Sequence, residues 1–207
     1  GQGWAIARPA PDWPVASDDA AAACLLSVED ALRSTTSFET HATDRRMATI
    51  ASAAAAIVDL DDAIETLELI SRELRAEHVC LSAIIDGGRA VQTIIANESF
   101  DGGKVFELAT HPLTAHVLAT GDMVQVRSSD PLGADAELAW MTPDGYHGLL
   151  MAPIGPRAAP VALLEICCRS ERPWNRAQIY RTRVICQLLA PAVTRLFTGP
   201  RIGAPAP

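Results

Sequence analysis

No run of lysine or arginine occurs in this chain, whose 207 residues carry 17 basic against 25 acidic side chains for a formal charge of −8. A surface that tracks phosphates needs the opposite balance, so the charge argues against nucleic acid as a partner. Long apolar runs are missing too. The longest, residues 48–58, is interrupted by Thr49 and Ser52 and falls short of the roughly 20 residues a bilayer span requires. No membrane segment is therefore expected. There is no C-x-x-C pair, and the five cysteines (Cys24, Cys80, Cys167, Cys168, Cys186) are odd in number, scattered and embedded in apolar stretches. That usage fits small buried hydrophobes in a reducing compartment better than a disulfide framework. Cys167 and Cys168, adjacent on an expected strand, point to opposite faces and do not act as a pair. An initiator methionine and a basic-then-apolar leader are absent from the start, which leads us to expect a piece of a longer cytoplasmic protein.

What is present is an ordinary globular composition, 49% hydrophobic and 20% charged, in a chain of a size that supports one core with helical appendages. Prolines crowd residues 1–16, which read as a tail or linker. Residues 17–34 are helix-friendly, with Leu25, Leu26, Val28 and Leu32 at helical spacing. A second helix is expected from Thr43, its stripe formed by Met47, Ile50, Ala54 and Ile57; a third follows Asp62, which stands three residues before Glu65 as in a capping box. Together residues 17–60 read as linker helices ahead of a folded domain at 61–197, with a loose tail at 198–207.

Within that domain two strands, 79–86 and 90–97, flank Gly87-Gly88 as a hairpin. Pro112 and Gly121 bracket a short helix by the usual asymmetry of the two residues. A strand at 123–127 follows, then an irregular stretch to 145 holding one or two helical turns at 134–141. Residues 148–154 and 161–168 are continuously apolar, as expected of central strands covered on both faces. Asn175 and Gln178 cap a long terminal helix carrying Ile185, Leu188, Leu189, Ala192 and Leu196, with a kink expected at Pro191. The fold class is α/β (α+β): an antiparallel sheet of five to six strands with helices on both faces, plus N-terminal helices.

Several segments then resemble GAF domains. The stretch from His111 through Thr114, His116 and Gly121 to Val126 is similar to that family's short-helix-to-strand segment, with Asp130-Pro131 after it. Leu149-Leu150-Met151-Ala152-Pro153-Ile154 and Val161-Ala162-Leu163-Leu164-Glu165-Ile166 resemble its central strand pair, and Arg172-Pro173-Trp174 leads into the last helix. The resemblance implies a regulatory domain that senses a small molecule rather than an enzyme. It names no ligand or cofactor. The Asn-Lys-x-x-Phe pattern of cyclic-nucleotide binders is replaced by Asn175-Arg176-Ala177-Gln178-Ile179, and no Cys-His dipeptide offers attachment to a bilin. At the other end Gln2-Gly3-Trp4, within residues 1–11, resembles the last strand of an EAL domain, a family that hydrolyses cyclic di-GMP. That resemblance implies an attached upstream catalytic domain whose catalytic residues would precede Gly1.

By the resemblance to GAF domains the ligand side of the sheet would be lined by Leu81, Ala83 and Ile85, with Trp140, Tyr146 and Met151 around them and Arg127 and Glu165 as the polar groups. Glu165 interrupts an apolar strand, so it is either bonded to Arg127 or another donor, or it anchors a ligand. His111 and His116, five apart, stand roughly 140° apart around a helix and do not chelate together. No metal site or catalytic set is legible, and no nucleophile elbow is present. Two other readings stay open: a ligand-free dimerisation module and a thiol redox enzyme or sensor. The helical stripes exceed what one domain face was expected to bury, so a homodimer joined through its helices is expected.

Overall fold

The computed structural model describes residues 37–97, 103–130 and 135–198. The helix expected at 17–34, the tails and the segment resembling an EAL domain lie outside them. Helix α1 (Ser37–Ala56) starts earlier than expected, and α2 (Leu60–Leu74) begins at a different cap. The cap is Asp59, whose carboxylate accepts the amide of Asp62, while Asp62 in turn accepts the amide of Val58. The first bond satisfies an amide that the first helical turn leaves without a partner, and the second ties the residue before the cap to that turn. Helix α2 ends on Arg75, a left-handed residue (φ 54°).

Strands β1 (His78–Ile85) and β2 (Ala90–Ala96) form the expected hairpin. Its connection is a four-residue loop, with positive φ at Asp86, Gly87 and Gly88. A short strand that the sequence did not announce, β3 (Val105–Glu107), adds to β2. Then come α3 (Pro112–Thr120), β4 (Val124–Arg127), α4 (Asp135–Met141) with a 3-10 turn at Thr142–Asp144, β5 (Gly148–Ile154), β6 (Ala162–Cys168) and α5 (Arg176–Thr198). Gly121 ends α3 at φ 69°, and a side chain there would meet the Arg157 backbone at 2.5 Å, so only glycine fits. Asn175 and Gln178 cap α5 reciprocally, each side chain accepting the other's amide, and the helix runs on through Pro191.

All strand pairs are antiparallel, in the order β3-β2-β1-β6-β5-β4. Helices α1, α2 and α5 cover one face in a single apolar cluster with Val79, Leu81, Leu150, Ala152, Leu164 and Ile166. Helices α3 and α4 cover the other, with Leu113, Val117, Met141, Val126, Leu149, Met151, Leu163 and Cys167. The sheet therefore has helices on both sides, as expected.

One expectation about the helices changes. Ile50, Ala54 and Ile57 are each 1% exposed within a single chain, and Leu189 is fully buried beside them. The stripe thought to need a second copy is covered by α2 and α5. The buried carboxylate of Glu73 binds Arg46 of α1 and Arg181 of α5, tying the three helices together. The segment expected to be a linker thus contributes to the core.

Candidate functional site

Alternation along β1 decides which side chains meet α3 and α4. Leu81 shares its phase with Val79 and lies in the cluster under α1, α2 and α5, so the expectation that Leu81, Ala83 and Ile85 face a ligand is corrected by one residue. Ala83 is opposite Ala162, itself in the helical cluster, and Ile85 ends the strand half-buried. The side chains turned toward α3 and α4 are His78, Cys80 and Ser82. A bulge supports this register: Leu81 pairs with Ile95 but Ser82 with Thr93, leaving Ile94 as an extra residue.

Glu165 on β6 is directly opposite Cys80. Its Oε2 accepts the Ser82 hydroxyl at 2.6 Å and the Cys80 thiol at 3.6 Å, and Ser82 lies 3.3 Å from the Thr93 hydroxyl. Arg127 is not its partner. That side chain forms a two-pronged pair with Asp130, Nη2 at 2.7 Å and Nε at 3.1 Å from Oδ1. Burial pushes the Glu165 carboxyl above its ordinary value; Ser82 and Cys80 oppose this, as does His111, and Glu137 adds to it. With neutral hydroxyl and thiol donors and no cation bonded to it among the described residues, the carboxyl has lost water without gaining a counter-charge.

Tyr146, Met151 and Trp140 do belong to this side, with Tyr146 and Met151 buried and Trp140 at the margin beside Phe106. Tyr146 stacks on His78 at 5.6 Å, and the Arg169 guanidinium lies over its ring. Burial lowers the pKa of His78 to about 4, against the pull of Asp144.

Sequence reasoning missed Glu137. This fully buried carboxylate of α4 reaches the start of α3, where Oε1 accepts the amides of Leu113 at 2.9 Å and Thr114 at 3.1 Å, with the Thr114 hydroxyl at 3.4 Å. The helix needs it: His111 at the cap position makes no capping bond, and proline at the first position has no amide. That His-Pro start without Ser, Thr, Asp or Asn was the available signal. The Thr114 hydroxyl also lies 3.6 Å from the Met151 sulfur, and Met151 pairs across the sheet with Glu165, so the two carboxylates share one layer.

Cys80, Cys167 and Cys186 are buried, as expected, and Cys168 is as well. Burial raises all four thiols, Cys186 to about 12 and Cys80 and Cys167 well above their usual range, which disfavours the reactive thiolate. Cys24 lies outside the described residues. Among those residues no cluster of three His, Cys, Asp or Glu is placed to hold a metal ion, and no helix is long and apolar enough to cross a membrane.

This architecture is the GAF fold. The chain is similar to the GAF domain of an Acinetobacter phosphoenolpyruvate-protein phosphotransferase (10% identity, TM-score 0.59, covering 82% of this chain and all of that one). It is also similar to the corresponding Coxiella burnetii domain (14%, 0.64, covering 74% and 93%). A third likeness is to the phycoerythrobilin-bound GAF domain of a cyanobacterial phytochrome (15%, 0.61, covering 74% and 95%). No family model and no curated protein matches the chain.

Proposed function

We propose that this chain is a regulatory sensing domain that holds a small molecule between the sheet and the α3–α4 layer. The observation that carries the proposal is the difference between the two faces. Toward α1, α2 and α5 the buried side chains of the sheet are apolar and the buried polar groups Thr66, Glu73, Gln178 and Thr182 belong to the helices, whereas toward α3 and α4 the sheet itself buries Glu165, Ser82 and Thr93, with Thr114 and Glu137 of the helices opposite. A few fixed polar groups in an apolar enclosure are what small-molecule sites consist of. The bilin-bound phytochrome domain among the similar structures supports a small molecule as the occupant. Tyr146, Met151 and Glu165 stay in the proposed lining, Trp140 at its rim, and Ser82 replaces Leu81, Ala83 and Ile85; Arg127 serves the turn with Asp130.

The proposal extends to what is regulated. Helix α1 leads back to the N-terminal residues and is held to α2 and α5 through Glu73, so a shift of the sheet of about 1 to 2 Å on binding would be passed to the upstream chain. The resemblance at residues 1–11 supports a cyclic-di-GMP phosphodiesterase as the attached domain. A homodimer through the α1 stripe has less ground, because Ile50, Ala54 and Ile57 of that stripe are buried within one chain and Met47 is partly buried. Native mass spectrometry of the purified protein is the test. An adduct of small-molecule mass that is released on unfolding is expected; the bare mass from every expression host, with no ligand found by screening, would overturn the proposal.

A further inference from the structure

We infer that the layer between the sheet and α3–α4 takes a small organic cation bearing two or more N–H donors, an amine, amidine or guanidine, and rejects phosphate-bearing and carboxylate ligands. The inference rests on the reading of this layer as the ligand site and adds the chemical class of the ligand. The start of α3 is where an anion would ordinarily settle, since free amides and the helix dipole favour negative charge there. In this chain the place is taken: Glu137 Oε1 holds the Leu113 and Thr114 amides, and Pro112 has none to offer.

The same carboxylate is only half satisfied. Its Oε2 is as enclosed as Oε1, yet it accepts no hydrogen bond. Glu165 stands across the layer, its Oε2 accepting the neutral Ser82 hydroxyl and Cys80 thiol, with no cation bonded to it among the described residues. Glu137 is among the groups that raise the Glu165 carboxyl, and His111, the titratable group opposing it there, keeps its Nδ1 on the Glu107 carbonyl. Buried acceptors without donors are rare in native proteins, and the Glu137 oxygen, on one layer with a second carboxyl that has no counter-charge, defines what would complement them: N–H groups carrying positive charge. A planar amidinium meets a carboxylate with paired N–H groups, the geometry arginine uses.

The experiment is calorimetric titration of the whole chain with benzamidine and agmatine, against benzoate and inorganic phosphate, repeated on Glu137→Gln and Glu165→Gln with circular dichroism as the fold control. Glutamine keeps an acceptor for the α3 amides while removing the charge. Binding of at least one cation is expected, weakened about tenfold or more in each variant, with benzoate and phosphate silent. Silence of both cations, equal affinity in both folded variants, or binding of either anion to the wild type would overturn the inference. A co-purifying anionic molecule found by native mass spectrometry would overturn it while leaving the sensing role intact. The absence of any bound molecule in that experiment and in ligand screening is the separate result that removes the sensing role.

Discussion

Replacing Glu137 by alanine tests whether one side chain of α4 holds the start of α3 in place. The carboxylate accepts two backbone amides and one hydroxyl through a single oxygen, and it is fully buried. Its removal strands the amides of Leu113 and Thr114, each costing about 1–3 kcal/mol when left buried without a partner. Against this, the unbonded Oε2 carries a desolvation cost in the wild type, and losing it returns about 1–2 kcal/mol. The net expectation is a loss of about 3 kcal/mol, which for a domain of this size lowers Tm by about 6–12 °C. Urea unfolding followed by tryptophan fluorescence, with the m-value held common, measures it. Glu137→Gln keeps the acceptor and should lose less than half as much. A loss below about 1 kcal/mol in Glu137→Ala would refute the capping role.

Three further outcomes are expected. His78 has its pKa depressed from 6.5 to about 4, so its contribution is complete above pH 6.5 and is lost as the pH falls toward 4, by about 3 kcal/mol. His78→Phe keeps a ring against Tyr146 and should flatten that acid limb; parallel stability profiles would contradict this. Glu165 has a raised pKa, so its contribution is complete below its ordinary value of 4.5 and lost as the pH rises through the folded value. Glu165→Gln should therefore gain on the wild type as the pH climbs from that point, and a constant difference would count against a buried ionisable carboxyl. Ile57→Glu places a charge in the core and should unfold the chain, at a cost above about 4 kcal/mol, as read by circular dichroism. A folded monomer from that variant would restore the reading of the α1 stripe as an intermolecular surface.

Features encoded within a few residues were legible in the sequence. Gly87-Gly88, the Pro112 and Gly121 brackets, the Asn175–Gln178 cap and the two continuously apolar strands depend on local chemistry, and each stands where it was expected. Strand β3 has three residues, too few for an alternation to register. The phase of β1 was lost because both of its faces are buried, so period-two alternation distinguishes two sets without saying which meets which helices. Ser82 and Glu165 were the usable signal, since polar interruptions on neighbouring apolar strands tend to satisfy each other. Glu137 acts across 23 and 24 residues, a pairing that only the packing of α4 against α3 creates. The stripe of α1 pointed to a partner because a sequence does not reveal how much surface α2 and α5 leave free for it.

Whether a ligand occupies the α3–α4 side of the sheet can be read from the four methionines, which divide between the two sides. Met141 and Met151 belong to the α3–α4 side, whereas Met47 and Met123 pack against the cluster under α1, α2 and α5. Methyl spectra of protein labelled with carbon-13 at the methionine methyl groups should be compared as purified and after stripping by unfolding and refolding. Displaced Met141 and Met151 resonances are expected in the stripped protein, restored when the released fraction is added back, with much smaller changes at Met47 and Met123. Four unchanged resonances, or changes confined to Met47 and Met123, would contradict a ligand on the α3–α4 side.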